Sequence, residues 1–135
     1  MENVQINWLA VVVAAAANFV IGGLWYSPAL FGKVWMRANG FTAEQLASGP
    51  MAKVFGFSFV FCLLMAANLA AFLGAPETTL GFAVGASIAA GLGWAALGLG
   101  VVAMFERRSW RYILINGGFM TVYFTLIGFV LGSWR

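Results

Sequence analysis

Few residues in this sequence could carry out chemistry. The 135 residues include no histidine, no aspartate and a single cysteine, Cys62. A metal centre of clustered His and Cys ligands, a Ser-His-Asp triad and a Cys-His pair all need residues that this composition lacks. We therefore predict that the protein is not an enzyme, has no catalytic or metal-binding residue, and uses no cofactor.

The acidic residues also argue against chemistry inside a membrane. Glutamate is found at positions 2, 44, 77 and 106, and each of these lies outside or at the end of an apolar segment. Proton coupling across a bilayer depends on an ionisable residue within a span, so the chain offers no obvious proton carrier. Ser27, Lys33 and Arg37 are the best candidates for the one enzymatic alternative, an enzyme that acts on lipid headgroups.

The composition is that of an integral membrane protein. Hydrophobic residues make up 63% of the chain and charged residues 8%, whereas soluble domains carry roughly 25% charged residues. A membrane-spanning helix needs about 20 apolar residues, and four such segments can be drawn. We predict one all-α membrane domain over residues 1–135, a four-helix bundle with spans near 6–26, 51–73, 80–105 and 112–132.

The basic residues predict the orientation of these spans. Six of the seven lie in or beside the first and third connections: Lys33, Arg37, Lys53, Arg107, Arg108 and Arg111. By the positive-inside rule this side faces the cytoplasm, which places both termini of a multi-pass inner-membrane protein outside the cytoplasm. The alternative interpretation of the basic connections is a site for anionic lipid headgroups.

The stretch GLWYSPALFGKVW, residues 23–35, interrupts the apolar pattern after the first span. Trp25 and Tyr26 are typical of aromatic residues at a membrane interface. Ser27 followed by Pro28 is typical of a helix N-cap and first helical position. The sequence therefore predicts that an interfacial segment, residues 28–48, begins with a helix at Pro28.

Within this segment the residue spacing is amphipathic. Apolar residues such as Val34 and Trp35 share one helical face, while Lys33 and Arg37 lie one turn apart on another. Gly40 is expected to end this helix in a left-handed conformation, and a capping box from Thr42 to Gln45 predicts a second short helix near 43–47. The residues proposed to lie at the interface or to contact lipid headgroups are Trp25, Tyr26, Lys33, Trp35 and Arg37.

Three segments together resemble a known family. They are Asn7-Trp8, LWYSPALFGKVW at 24–35, and RANGFT at 37–42. This combination is similar to the bacterial membrane family catalogued as domain of unknown function 1761. The resemblance implies four membrane helices, and it implies no activity, because none is assigned to the family.

Polar residues within the spans form a second candidate site. Asn18, Asn116 and Thr121 are expected in the cytoplasmic half of the bilayer, and Asn68 in the outer half. The simplest interpretation is interhelical hydrogen bonding, worth about 0.6 kcal/mol per pair. The alternative is a binding or permeation site, because polar residues in bilayers are often functional.

Small residues recur about one turn apart in three of the spans, a pattern that allows close helix packing. In the third span one row consists of Gly81, Gly85, Ala89 and Gly93, and a second of Ser87, Gly91, Ala95 and Gly98. Because this span is small on two faces, it is predicted to be the most contacted helix. Gly128 and Gly132 of the fourth span are predicted to meet a second subunit. The glycines proposed to pack helices are Gly22, Gly81, Gly85, Gly93, Gly128 and Gly132.

Two classes of function fit these observations. We favour a non-enzymatic membrane module that binds lipids or a partner helix, forms a homo-oligomer such as a dimer, and does not bind nucleic acid. The alternative is a small oligomeric transporter or channel for a neutral or amphipathic solute, similar in size to four-helix multidrug exporters. Those exporters rely on an acidic residue in the first span, where this chain has Asn18. The sequence does not identify a small-molecule ligand.

Overall fold

A computed structural model describes residues 4–134, and in this part of the chain all regular structure is helical. The helices are α1 (Trp8–Trp25), α2 (Gly32–Asn39), α3 (Ala43–Ala47), α4 (Met51–Leu73), α5 (Leu80–Ala90), α6 (Leu97–Phe105) and α7 (Trp110–Ser133). A π-helical segment, Gly91–Ala96, joins α5 to α6. Glu2 and Arg135, which the sequence assigns to the two tails, lie outside the described residues.

Four helices are long and apolar enough to cross a membrane: α1, α4, the continuous helix Leu80–Phe105, and α7. Spans predicted at 51–73 and 80–105 have these same bounds in the structure. The first and fourth spans differ from the predicted ranges 6–26 and 112–132 by one or two residues at each end. The predicted four-helix membrane bundle is therefore confirmed.

Side-chain caps determine where three of the membrane-spanning helices begin. Asn7, Thr79 and Ser109 precede α1, α5 and α7, and the side-chain oxygen of each accepts a hydrogen bond from the backbone N–H three residues later, at 3.1–3.2 Å. Each cap satisfies a donor that the helix itself leaves unpaired. Asn7 also donates to the backbone carbonyl of Trp134 at 3.2 Å, which connects the two ends of the chain at the same end of the bundle.

Helix α7 is the centre of the bundle, since α1, α2, α4 and the whole third span pack against it. In the most apolar stretch of α7, 33% of the residues are buried, whereas the corresponding share in the third span is 17%. The prediction that the third span is the most contacted helix is therefore wrong. It packs chiefly along α7, through a row of small residues that includes Ser87 and Gly91.

Close approach of α5 to α7 depends on glycine. A Cβ atom added to Gly128 would lie 2.5 Å from Ser87 Cβ, and one added to Gly132 would lie 2.8 Å from Ala83 Cβ. Both glycines are buried within the subunit. The prediction that they meet a second subunit is therefore wrong, because α5 already occupies that face of α7.

The other glycines proposed to pack helices divide into two groups. Gly22 faces the ring of Phe119, where an added Cβ would make an ordinary contact at 3.6 Å. Gly81, Gly85 and Gly93 are exposed, and a Cβ added to any of them would meet no atom within 4 Å. Within the described residues these three glycines pack against no other helix, contrary to a packing role inside the subunit.

The connection after α1 differs from the sequence prediction at its start. Ser27 does not cap a helix that begins at Pro28; its Oγ donates to the carbonyl of Leu24 at 2.7 Å. The Ser27 carbonyl accepts hydrogen bonds from the N–H groups of Leu30 and Gly32, at 3.0 and 2.9 Å. These bonds form a turn over residues 27–31, and α2 begins at Gly32, where only glycine fits against the backbone of Tyr26 and Ser27.

The rest of the interfacial segment agrees with prediction. Gly40 ends α2 in the left-handed region with a φ of 69°, which glycine adopts without a steric penalty. Thr42 and Gln45 form the capping box at the start of α3, with both reciprocal hydrogen bonds present at 2.9 and 3.2 Å.

Candidate functional site

A cavity of about 500 Å³ lies between α2 and the start of α7, at the end of the bundle that carries most of the basic residues. Its lining consists of Val34, Arg37, Ala38, Ser109, Trp110 and Arg111. We call it the α2–α7 pocket. Among the described residues, two guanidinium groups and no carboxylate line it, so its electrostatic potential favours an anion.

The first turn of α7 adds to this positive potential. This helix has 24 residues and carries no acidic residue in its first turn. Its dipole therefore presents a partial positive charge at the pocket, and the first backbone N–H groups have no partner within the helix. Ser109 Oγ satisfies one of them, the N–H of Tyr112.

Two hydrogen bonds hold the end of α1 against α7, and they thereby place α2 beside α7. Trp25 Nε1 donates to the backbone carbonyl of Ile115 at 2.9 Å, and Tyr26 Oη donates to Asn116 Oδ1 at 2.5 Å. The Tyr26 ring then contacts the Trp35 ring of α2, with centroids 5.1 Å apart. Trp25 and Tyr26 thus bind the end of α1 to the side of α7, a contact that goes beyond the interfacial role suggested by the sequence.

Aromatic packing extends this contact on both sides. The Trp35 ring lies 5.5 Å from Phe41, the Trp25 ring 4.7 Å from Phe31, and the Tyr26 ring 5.3 Å from Phe119. Edge-on and tilted aromatic pairs of this kind add about 0.5–1.5 kcal/mol each beyond buried area. The aromatic residues of the turn and of α2 therefore hold the wall of the pocket that carries Arg37.

Burial of the Tyr26 phenol has an electrostatic consequence. Removal from water, with a smaller contribution from the neighbouring Tyr112, raises the pKa of Tyr26 to about 12. The phenol therefore stays protonated, and remains a donor to Asn116, up to a higher pH than an ordinary tyrosine.

The predicted headgroup residues do not all reach the pocket. Arg37 lines it, while its Nε lies 3.4 Å from the carbonyl of Lys33. Lys33 itself is exposed on α2 and is not part of the lining. Arg108 lies over the Tyr112 ring, 4.9 Å from its centroid.

Sequence analysis did not select Ser109, Trp110 or Arg111 as site residues. Arg111 was noted only as part of the basic connection, although in the structure it lines the same cavity as Arg37. The available signal was a helix N-cap at Ser109 between basic residues, a pattern that places a positive helix end on the same side as α2.

The four intramembrane polar residues do not form one site. Asn116 pairs with Tyr26, and Thr121 Oγ1 donates to the carbonyl of Gly117 in its own helix at 2.9 Å. Asn68 Nδ2 donates to the carbonyl of Leu64 at 2.9 Å and is exposed on α4. Asn18 is buried in α1, and within the described residues its Oδ1 has no hydrogen-bond partner.

The all-helical bundle with four membrane-length apolar helices and a short amphipathic connection defines the protein as a multi-pass membrane protein. Residues 9–132 match the family described as Protein of unknown function (DUF1761), and the chain belongs to that family. No curated protein and no solved structure matches the chain.

Proposed function

We propose that this protein is a non-catalytic membrane module that binds the headgroup of an anionic phospholipid in the α2–α7 pocket. The observation that carries this proposal is the meeting of Arg37, Arg111 and the N-terminus of α7 in a cavity without an acidic lining residue. All three features favour a phosphate group.

The pocket provides groups for both parts of a phospholipid. Each guanidinium can donate two parallel hydrogen bonds to phosphate oxygens, the geometry in which arginine binds phosphate best. Val34, Ala38 and Trp110 supply apolar surface for the glycerol and the first acyl carbons. A tryptophan side chain is well suited to this level of the bilayer because it is apolar with one polar atom.

The proposed orientation is consistent with this ligand. If the basic connections face the cytoplasm, as their Lys and Arg content indicates, the pocket opens to the inner leaflet, where anionic lipids attract basic residues by about 1 kcal/mol each. The site would then bind a lipid that is already concentrated on that side of the inner membrane.

Native mass spectrometry of purified protein incubated with phosphatidylglycerol or phosphatidylcholine tests the proposal. The wild type should retain phosphatidylglycerol selectively, and the double variant Arg37→Gln, Arg111→Gln should retain at least about tenfold less, since hydrogen bonds to charged groups are worth about 1.5–3 kcal/mol. The matched control is Lys53→Gln, Arg107→Gln, which removes the same charge from residues outside the lining. Equal losses in the two variants would contradict a specific site.

The second candidate function is a small oligomeric transporter or channel for a neutral or amphipathic solute. One observation favours it: the buried Asn18 Oδ1 has no hydrogen-bond partner among residues 4–134. An unpaired polar atom inside a bundle can serve a passing solute. Osmotic swelling of proteoliposomes in neutral solutes tests this candidate. Solute entry that is lost in Asn18→Leu would support it, and swelling no faster than in protein-free vesicles would exclude it for those solutes.

A further inference from the structure

A second cavity, of about 600 Å³, opens on the side of the bundle between α4 and the third span. We call it the lateral groove. Its lining combines α4, α5, the π-helical segment and α7, and includes Asn68, Ala89 and Trp94. It faces the region that the hydrocarbon of the bilayer would occupy, since all four elements belong to spans.

Trp94 is an unusual residue for this position. It follows Leu80 by 14 residues in a 26-residue helix, which places it about 21 Å along the span at 1.5 Å per residue. Its side chain is 83% exposed, and its indole N–H donates to no group within residues 4–134. Tryptophan normally occupies the membrane interface, where this N–H reaches water or headgroups.

Asn68 presents a second unsatisfied polar group in the same groove. Its Nδ2 donates one hydrogen bond, to Leu64, whereas a carboxamide has two donor hydrogens and an oxygen that accepts two bonds. Hydrocarbon offers neither donors nor acceptors, so an exposed amide in a bilayer is unfavourable unless another polar group covers it.

The surface beside the groove allows another helix to approach closely. Gly85 and Gly93 lie open, with no atom of the described residues within 4 Å of an added Cβ, and Ala89 between them is exposed. In membranes, small residues of this kind let helix backbones come together. The third span is also the least buried of the four.

We infer that the lateral groove is the interface with a second copy of this chain. A lipid chain could fill the groove but would leave the Asn68 side-chain oxygen and the Trp94 indole N–H without partners among residues 4–134. A second copy, related by a two-fold axis along the membrane normal, supplies an identical amide that both donates and accepts. Its protruding Trp94 would occupy the groove of the first copy, and the exchange would be reciprocal.

Cysteine crosslinking in native membranes tests the interface. In a Cys62→Ala background, which removes the only native thiol, Ala89→Cys should form a crosslinked dimer. The matched control is Val20→Cys on α1, which is 67% exposed on another helix and should not crosslink. Crosslinking at Val20→Cys to the same extent, or at neither position, would overturn the inference.

Side-chain variants test the two polar residues through the dimer dissociation constant in detergent. Asn68→Leu should weaken the dimer about threefold, the effect of one average interhelical hydrogen bond. Trp94→Ala should weaken it at least about tenfold, as expected for an interfacial tryptophan anchor. Leu114→Ala, at a residue 68% exposed on α7, is the control and should leave the constant unchanged.

These measurements also distinguish dimer formation from lipid binding, both in the lateral groove and in the α2–α7 pocket. A monomer that carries a tightly held lipid, released by Trp94→Ala, would overturn the inference and assign the groove to lipid. The variant Arg37→Gln, Arg111→Gln should dimerise normally, because neither arginine lines the groove. Loss of headgroup binding therefore leaves the dimer result unaffected.

Discussion

Tyr26 and Asn116 are 90 residues apart in sequence, yet the Tyr26 hydroxyl donates a hydrogen bond of 2.5 Å to the Asn116 side-chain oxygen. Asn116 Nδ2 in turn donates to the carbonyl of Tyr112 at 3.0 Å, which fixes the orientation of its amide. This pair joins the turn after α1 to α7 and thereby determines where α2 and its Arg37 lie. The α2–α7 pocket depends on it.

Removal of the Tyr26 hydroxyl should therefore loosen this connection. In Tyr26→Phe the Asn116 oxygen loses its donor in a partly buried position, and we expect a loss of about 1–3 kcal/mol of unfolding free energy. Unfolding in a denaturing detergent measures it. In a double-mutant cycle with Asn116→Ala the two losses should not add; additive losses would show that the residues act independently.

Stability should also depend on pH through Tyr26. Its pKa in the folded protein is about 12, above the value of about 10 for tyrosine in an unfolded chain. The folded state thus favours the neutral phenol, so this contribution is complete below a pH of about 10 and is lost as the pH rises through the folded value. Phenolate absorbance, compared with Tyr26→Phe, should show late ionisation; a transition near the ordinary tyrosine value would contradict it.

Two glycine substitutions should have opposite effects on folding. Gly128→Ala places a methyl group against Ser87 and Ala83, and overpacking of this kind costs about 1–3 kcal/mol. Gly85→Ala meets no atom of residues 4–134 and should stabilise the monomer slightly, because alanine has the higher helix propensity. Comparable destabilisation in both variants would contradict the packing of α5 on α7.

Orientation in the membrane is testable with reporters. A reporter fused after Arg135 should behave as extracytoplasmic, and one inserted near Asn39 as cytoplasmic, because the connections rich in Lys and Arg are retained inside. The opposite pattern would reverse the orientation and place the α2–α7 pocket on the outer leaflet.

Spin labels attached at Lys33 and Trp35 should report different surroundings for the two faces of α2. Lys33 is exposed, whereas Trp35 packs between Tyr26 and Phe41. With each position changed to Cys in a Cys62→Ala background, the label at 33 should be accessible to a water-soluble relaxing agent and the label at 35 shielded. Labels that are both shielded would instead indicate a segment that re-enters the membrane.

Features that depend on residues close together along the chain could be predicted from the sequence. The spans at 51–73 and 80–105 follow from the length of their apolar runs, because a bilayer selects helices by length and polarity. The capping box at Thr42 and the left-handed Gly40 follow from local geometry. The predicted start of α2 at Pro28 was wrong because Ser27 bonds back to Leu24, and the close approach of Gly32 to the turn outweighs the local N-cap pattern.

What the sequence could not determine is which face of each helix is buried. Gly85 and Gly128 are the same residue in similar rows, yet one is open and the other packs against Ser87. In a membrane, lipid and protein interior are both apolar, so burial leaves little trace in composition. The tertiary structure alone decided this. It alone placed Arg37 and Arg111 in the lining of one cavity, since the contact of Tyr26 with Asn116 joins segments that no local pattern connects.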